Sequence, residues 1–408
     1  GGRPGRRSGG RTRVRRPIGD EHANHRALPF RASRNGPRDK ILCAIFSGCR
    51  HPQNISQLKG ITQMHVKKSV CSLALLSALL LGSCAGAVKD QPADASANQS
   101  SGASAAGFPL TIDNCGHQLT FKKAPARTVS LNQSSTEIQL SLGIADTMVG
   151  TATWTDPVLS SLESENAKVE RISDDGPTSE AVIAKEPDLV TASFPSTLTD
   201  KVAGSYEKYE SLGVPAYLAP NQCGKKSGDD APAENFTIEK VYQEVDELSR
   251  IHGVPEKGKE LVAQLKQRVE KAVAQKPGKP VKVMFWFANS EAPYLAGGSG
   301  ASQFVSDQLG ITNIYSDQRD EWPQVSWEDV AAKNPDIIVM GDLTRKSQTA
   351  ETADAKIEYL KSNPVTSQMD AVKNERFIKV AGGDMNPSIR TVDLAEKLVA
   401  GIEQFGLK

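Results

Sequence analysis

"WPQVSWEDVAAKNPDIIV", residues 322–339, is the stretch whose reading decides the fold. It reads as a surface turn, a short helix, a proline stop and an aliphatic run. "GPTSEAVIAKEPDLV", residues 176–190, repeats that order 148 positions earlier. Glu180 falls on Glu328, Val182 on Val330, Lys185 on Lys333, Pro187 on Pro335 and Asp188 on Asp336. Pro187 and Pro335 stop a helix, and the run after each aspartate suits a buried strand. Ser326, with Asp329 three residues on, reads as an N-cap with a capping box, and Thr178 holds the matching place. Glu180 and Glu328 then lie in a first helical turn, where a carboxylate favours the helix dipole.

Working outward, short apolar runs alternate with amphipathic ones. Strands are expected at 128–131, 148–153, 188–193 and 215–220, then at 282–287, 312–316, 336–341 and 376–381. Helices are expected near 135–143, 179–185, 199–212 and 237–252, then near 301–309, 327–333, 354–361 and 387–404. Such alternation predicts parallel, doubly wound sheets. Between the two sets, Leu261, Leu265, Val269 and Val273 recur every four residues ahead of a Pro/Gly break at 277–280. That is one long helix. The expected fold class is α/β: two doubly wound lobes with mainly parallel sheets, 108–254 and 280–408, joined by one long bridging helix within 255–279. In such sheets ligands bind beyond the strand C-ends, beside the helix N-termini. Glu180 and Glu328 should therefore stand on the rims of a cleft between the lobes.

Upstream of this body the chain changes character. Residues 1–63 hold 14 Lys/Arg against 3 Asp/Glu, with no apolar period, and the first methionine is Met64. A basic arm for nucleic acid would account for the charge. What begins at Met64 favours another reading, translated sequence ahead of the true start. "MHVKKSVCSLALLSALLLGSCAG" has a basic start, a short apolar run and small residues before Cys84, the three parts of a secretory signal over 64–83. "LGSC" is similar to a bacterial lipobox, which would make Cys84 the lipidated first mature residue. Residues 85–107 are Ala-, Ser- and Gly-rich, a flexible tether with a mean span on the order of 25 Å. From Cys84 onward 33 Lys/Arg face 45 Asp/Glu, a net charge near −12, which argues against a nucleic-acid partner. Past Cys84, Cys115 and Cys223 are the cysteines that remain. In an exported protein two cysteines most simply form one disulfide, and neither has the close partner that a metal pair needs.

The chain from about 108 to 408 resembles the helix-bridged class of periplasmic-type binding proteins, the solute receptors of ABC importers for ferric siderophores, haem and cobalamin. The resemblance rests on "APARTVSLNQSSTEIQLSLGIADTMVG", "SEAVIAKEPDLV" and "EWPQVSWEDVAAKNPDIIV". It implies a monomeric lipoprotein held on the outer face of the cell membrane, with no resident cofactor and no direct metal ligands. Its partners would be a small-molecule metal chelate, a ferric siderophore by choice, and a permease dimer. Two rim glutamates dock on permease arginines in this family; by position these are Glu180 and Glu328. The ligand site implied between the lobes takes Asn132, Gln133, Trp154, Asp174, Phe194 and Ser196 from the first lobe. From the second it takes Phe287, Tyr294, Trp322 and Arg390. Aromatic faces suit a flat, delocalised ligand and an arginine suits anionic chelate oxygens. Asp174 stands where cobalamin-binding members carry a tryptophan, a departure pointing to another chelate. Trp286 alternates with Phe287 along one strand and is assigned to the core.

Other classes fit less well. His117 and His252 are the only histidines after Cys84, too few for the His-rich sites of bare-metal receptors. Tyr294 is the best-placed residue for capturing a haem. "GGSGAS" (297–302) is separated by nine residues from "KVMFWF" (282–287), so it lacks the tight strand–loop–helix context of a dinucleotide loop. No Ser–His–acid set is legible, and the two rim carboxylates belong to different lobes. An enzyme is therefore not expected.

Overall fold

Both copies of the repeated stretch fold alike in the computed structural model, which describes Gly1, residues 107–225 and residues 234–408. The basic stretch, the signal 64–83, Cys84 and all of the tether but Gly107 lie outside the described residues.

The chain enters through an antiparallel hairpin, β1 (Leu110–Asn114) and β2 (His117–Phe121), turned at Cys115 and Gly116, both at positive φ. The first sheet is built from β3 (Thr128–Ser130), α1 (Gln133–Ser141), β4 (Met148–Ala152), α2 (Glu163–Asn166), β5 (Arg171–Ser173), α3 (Ser179–Ile183), β6 (Leu189–Ala192), α4 (Tyr206–Ser211) and β7 (Ala216–Leu218). Its strands run in the order β5-β4-β3-β6-β7 and are parallel throughout. β3, β6 and β7 are buried at every position, as a sheet covered on both faces requires. Asn114 extends the hairpin onto the open edge: its amide gives to and takes from the backbone of Leu218, 2.8 Å each way. A disulfide joins Cys115 to Cys223, with Cα atoms 4.9 Å apart.

α5 (Ile238–Ile251) and α6 (Pro255–Val273) lead to the second sheet. There β8 (Lys282–Ala288), β9 (Tyr294–Leu295), α7 (Ala301–Leu309), β10 (Thr312–Asn313), α8 (Trp327–Lys333), β11 (Ile337–Asp342), α9 (Ala353–Ser362), α10 (Asp370–Lys373), β12 (Phe377–Ala381) and α11 (Thr391–Gln404) follow. The parallel order is β10-β8-β11-β12, with β9 antiparallel on β8. Trp286 is fully buried and meets Trp327 edge-on, ring centroids 4.8 Å apart. α6 carries the seam between the lobes. Its Leu265 shares one apolar cluster with Val245 and Leu248 of α5, Ala301 of α7 and Val392 of α11. Arg268 on the same helix binds Glu396 of α11 at 3.0 and 2.6 Å and also holds Asp393.

The repeat is α3–β6 in one lobe and α8–β11 in the other. Thr178 and Ser326 cap the helices, accepting from the N–H groups of Ala181 (3.3 Å) and Asp329 (3.2 Å). Glu186 and Asn334, each one residue before the proline, both take left-handed backbone, at φ +48° and +44°. Each aspartate then clamps the start of the neighbouring strand. Asp188 accepts from the N–H groups of Ala126 (2.9 Å) and Arg127 (2.8 Å), and Asp336 accepts from that of Lys282 (2.8 Å). In return Arg127 donates to the carbonyls of Lys185 and Glu186, and Lys282 to those of Lys333 and Asn334. A cation thus closes the C-end of each helix, where its dipole favours one.

Several expectations are corrected. Ser326 has no reciprocal capping box, because Asp329 accepts instead from Tyr315 Oη at 2.7 Å. The helix expected at 199–212 is only α4, since Gly204 (φ +108°) turns the chain just before it. The last helix starts at Thr391, not 387, after a turn through Pro387. α6 ends at Val273, and the strand expected at 312–316 pairs only at Thr312 and Asn313. β5 and β9 were not expected; they are an exposed edge and a two-residue pair. The "GGSGAS" glycines serve packing: a Cβ on Gly297 would lie 1.9 Å from Asp320 O, and one on Gly298 2.1 Å from Ser316 O.

Candidate functional site

The strands of both sheets end on one cleft. Beyond β3 come Asn132 and Gln133, beyond β4 Thr153 and Thr155, and beyond β6 Phe194, Ser196 and Thr197. From the other lobe come Phe287 near the end of β8, Arg345 beyond β11, and Gly383 and Asn386 beyond β12. Together with Trp322 and Arg390 they line a cavity of about 260 Å³. Phe287 and Trp322 meet with centroids 4.7 Å apart, and the Arg345 guanidinium lies 5.1 Å over the Phe287 ring. Phe194, Phe287 and Trp322 stay partly exposed, and Ser196 is exposed.

Asn132 and Gln133 line this cavity with their amides committed to shaping it. Asn132 accepts from Ser193 N (2.8 Å) and donates to Thr197 Oγ1 (3.1 Å). Gln133 accepts from the N–H groups of Thr155 (3.0 Å) and Asp156 (3.1 Å) and donates to Glu137 (3.1 Å). Arg390 is also committed. It is 4% exposed, its Nε donates to Glu137 Oε2 at 2.7 Å, and its Nη2 donates to Glu137 Oε1 and to Pro157 O (2.8 Å). This pair crosses from the first lobe to the second. Asp156 crosses beside it, accepting from Gly382 N (3.1 Å) and Gly383 N (2.6 Å). Burial pushes the Asp156 carboxyl up to about 6, against the two backbone N–H groups and Arg390, which favour its charge. Thr344 N reaches Thr155 O at 3.2 Å, a third crossing.

Trp154 and Asp174 fall outside that cavity. They line a second one of about 490 Å³, with Asp156, Arg171, Asp175, Thr344, Arg345 and Lys346. Arg171 lies 4.2 Å over the Trp154 ring and pairs with Asp174 at 2.9 Å. Arg345 is common to both walls. Tyr294 lines neither; it sits on β9, bridged to Gln324. Glu180 and Glu328 are exposed in the first turns of α3 and α8, as their spacing from the caps requires. Lys208 lies 3.9 Å from Glu180. His117 stacks on Tyr206 at 4.5 Å, and His252 is buried, its imidazole held down to about 4 by desolvation.

Sequence reasoning missed Arg345, Asn386, Glu137 and Asp156. Arg345 had a signal, a cation in the loop directly after an aliphatic strand, where such sheets place ligand residues. Glu137 and Asp156 had none, since their partners lie more than 200 residues away.

Comparison with known proteins gives one family. Residues 128–381 match the family described as periplasmic binding protein. The chain is 27% identical over 349 residues to the uncharacterized ABC transporter substrate-binding lipoprotein YvrC of Bacillus subtilis (strain 168), covering 84% of this chain and 96% of that one. It is 30% identical over 224 residues to the vitamin B12-binding protein of Vibrio campbellii, covering 54% of this chain and 72% of the relative. The crystal structure of a periplasmic binding protein from Veillonella parvula superposes with a TM-score of 0.62 at 26% identity, covering 72% of this chain and 97% of that one.

Proposed function

The chain belongs to the periplasmic binding protein family, and from that premise we propose that it is the solute-binding lipoprotein of an ABC importer, taking a ferric siderophore between its lobes. One observation carries the reading: Phe194, Phe287, Trp322 and Arg345 converge at the strand C-ends of two sheets. Partly exposed aromatic faces beside a guanidinium fit a delocalised, anionic chelate. In this reading 64–83 is the signal, and lipid on Cys84 and the tether 84–107 hold the receptor at the outer face of the membrane. The name of the Bacillus relative supports both the lipoprotein and the ABC transporter. The lobes are 108–254 and 280–408 with the bridge in 255–279, and the receptor works as a monomer, not an enzyme. Glu180 and Glu328, at equivalent exposed positions on the two lobes, dock on the permease dimer.

A second reading is cobalamin or haem, and the name of the Vibrio relative favours cobalamin. Against cobalamin stands Asp174, exposed and paired with Arg171, at the position where the resemblance to cobalamin-binding members implies a tryptophan. Tryptophan fluorescence, titrated with ferrioxamine B, ferrichrome, haemin and cyanocobalamin, decides between them. Quenching at the lowest concentration by a ferric hydroxamate is expected. Quenching by haemin or cyanocobalamin alone would replace the siderophore, and no response to any of the four would remove the chelate reading.

A further inference from the structure

The sequence assigns the anion contact to Arg390, but in the fold that guanidinium is filled by Glu137 and Pro157. A second arginine stands in the cleft with its fork unused. Arg345 donates through Nε to both carboxylate oxygens of Glu351, at 3.2 and 3.3 Å, and lies over Phe287. No hydrogen bond from either of its Nη groups is found among the described residues. Held at Nε and stacked on one face, the fork keeps two parallel donors for a carboxylate or another two-oxygen anion. It belongs to the walls of both cavities, so a ligand seated in either meets it.

The loop that carries it is tied at the neck. Glu351, 6% exposed, also accepts from Ser347 Oγ (3.1 Å) and Gln348 N (2.8 Å), and its own carbonyl accepts from Leu343 N (3.0 Å). Lys356 is fully buried on α9, and its ammonium donates to Gly341 O (2.8 Å) and Glu351 O (2.7 Å), one carbonyl from each end of the loop. It forms no ion pair within the described residues, and the Trp286 ring lies 5.6 Å away. A methionine would fill the same space without the cost of desolvating a cation. It would, however, leave the two carbonyls without this donor, and joining them across the neck of a loop needs a branched set of donors such as the ammonium.

We propose that Arg345 selects an anionic group on the ligand, and that Glu351 and Lys356 are positioning residues that hold its fork in the cleft, an inference that rests on the chelate-receptor reading above.

Two probe pairs isolate the anionic group. Ferrioxamine B and its N-succinyl derivative share one iron–hydroxamate core and end in an ammonium or a carboxylate. Haemin and its dimethyl ester share one porphyrin and differ in two carboxylates. Affinities of the full chain are measured for both members of each pair. For the core that binds, the carboxylate form should bind at least tenfold tighter. Arg345→Met should erase that ratio, the carboxylate form losing at least tenfold more than the uncharged or cationic form, and Arg345→Lys should restore only part of it. Glu351→Gln and Lys356→Met should each shrink the ratio severalfold. An unchanged ratio in Arg345→Met, or equal loss for both members, would overturn the role of Arg345. Unchanged ratios in Glu351→Gln and Lys356→Met would overturn the positioning role. No binding of either core by the parent would remove the chelate reading itself, and the proposal with it.

Discussion

Replacing Glu137 or Arg390 with methionine tests whether the lobes are tied by a buried ion pair. The side chains of Arg390 and Glu137 are 5% and 1% exposed. Two charge-assisted bonds join them, and Arg390 adds a third to Pro157 O at 2.8 Å. Removing one partner of such a pair costs about 3–5 kcal/mol, because the survivor keeps a buried charge. The two single changes should differ. Arg390→Met leaves a carboxylate that still accepts from Gln133 Nε2 and Leu159 N, both at 3.1 Å. A stranded carboxylate can also take a proton, which caps the cost for a glutamate at about 4 kcal/mol at neutral pH. Glu137→Met strands a guanidinium that cannot lose its proton, with Asp384 3.8 Å away and Asp156 nearby as weaker counter-charges. It should be the costlier change. The double variant buries two apolar side chains of similar volume and should recover most of the loss. Urea denaturation of all four proteins at pH 7, disulfide intact, closes the cycle, with a coupling of at least about 2 kcal/mol expected. Single changes within 1 kcal/mol of the parent, or costs that simply add, would refute the buried tie.

Further outcomes follow from other sites. Glu244 is buried and its carboxyl is pushed up to about 8, by desolvation first and by neighbouring Glu247 second. A folded-state value above the unfolded one gives stability that is complete at low pH and is lost as pH rises through about 8; Glu244→Gln should flatten that decline between pH 5 and 8, and an unchanged slope would place the titration elsewhere. Thiol titration of the denatured, unreduced chain from residue 85 should find no free thiol, and Cys115→Ser with Cys223→Ser, which opens a link across 108 positions, should cost up to about 5 kcal/mol. Trp322→Ala should weaken chelate binding by about 1–3 kcal/mol, and an unaltered affinity would make Trp322 a packing residue. Glu180→Arg with Glu328→Arg should abolish uptake of labelled ligand in cells while affinity in solution stays the same, because both residues lie outside the cavity; normal uptake by the folded double variant would end the docking role.

The repeat was legible because its signals are local: a cap, a proline and an aspartate, each acting within a few residues. The clamp formed by Asp188 on Arg127 and by Asp336 on Lys282 was not legible, since each pair spans more than 50 positions. Period and turn chemistry also placed the parallel strands, but not β5, three residues with one apolar side chain, Ile172, between Arg171 and Ser173, nor β9, two residues held by the neighbouring β8. Gly204 carried the information that shortens α4, as a helix-breaking residue in the middle of a polar run. In the cleft, residue type suggested Asn132 and Gln133 as ligand contacts. Geometry commits both amides to loop backbone and neighbouring side chains, because a loop over a buried sheet end must first satisfy its own N–H groups. Arg390 went the same way: sequence gives its charge but not Glu137, which meets it only once the two lobes are assembled.

Those cross-lobe contacts also bear on how the cleft takes a ligand. Wide opening would break the Glu137–Arg390 pair, the two N–H bonds to Asp156 and the Thr344–Thr155 bond. It would also pull apart an apolar cluster shared by α5, α6, α7 and α11. At about 1 kcal/mol for each ordinary hydrogen bond, and more for the charged pair, the loss is on the order of 5 kcal/mol before any apolar surface is counted. A state that costs about 5 kcal/mol is populated at only a few parts in ten thousand. Room for a chelate is then more cheaply made by side chains than by lobes. Trp322 and Arg345 are partly exposed at the cavity wall, and Arg345 lines both a space of about 260 Å³ and one of about 490 Å³. Rotating that one side chain gives up its Glu351 bonds and its Phe287 contact, still a smaller change than breaking the bonds that cross between the lobes, so the loop that holds Arg345 has more leverage over the size of the site than the helix that bridges the lobes.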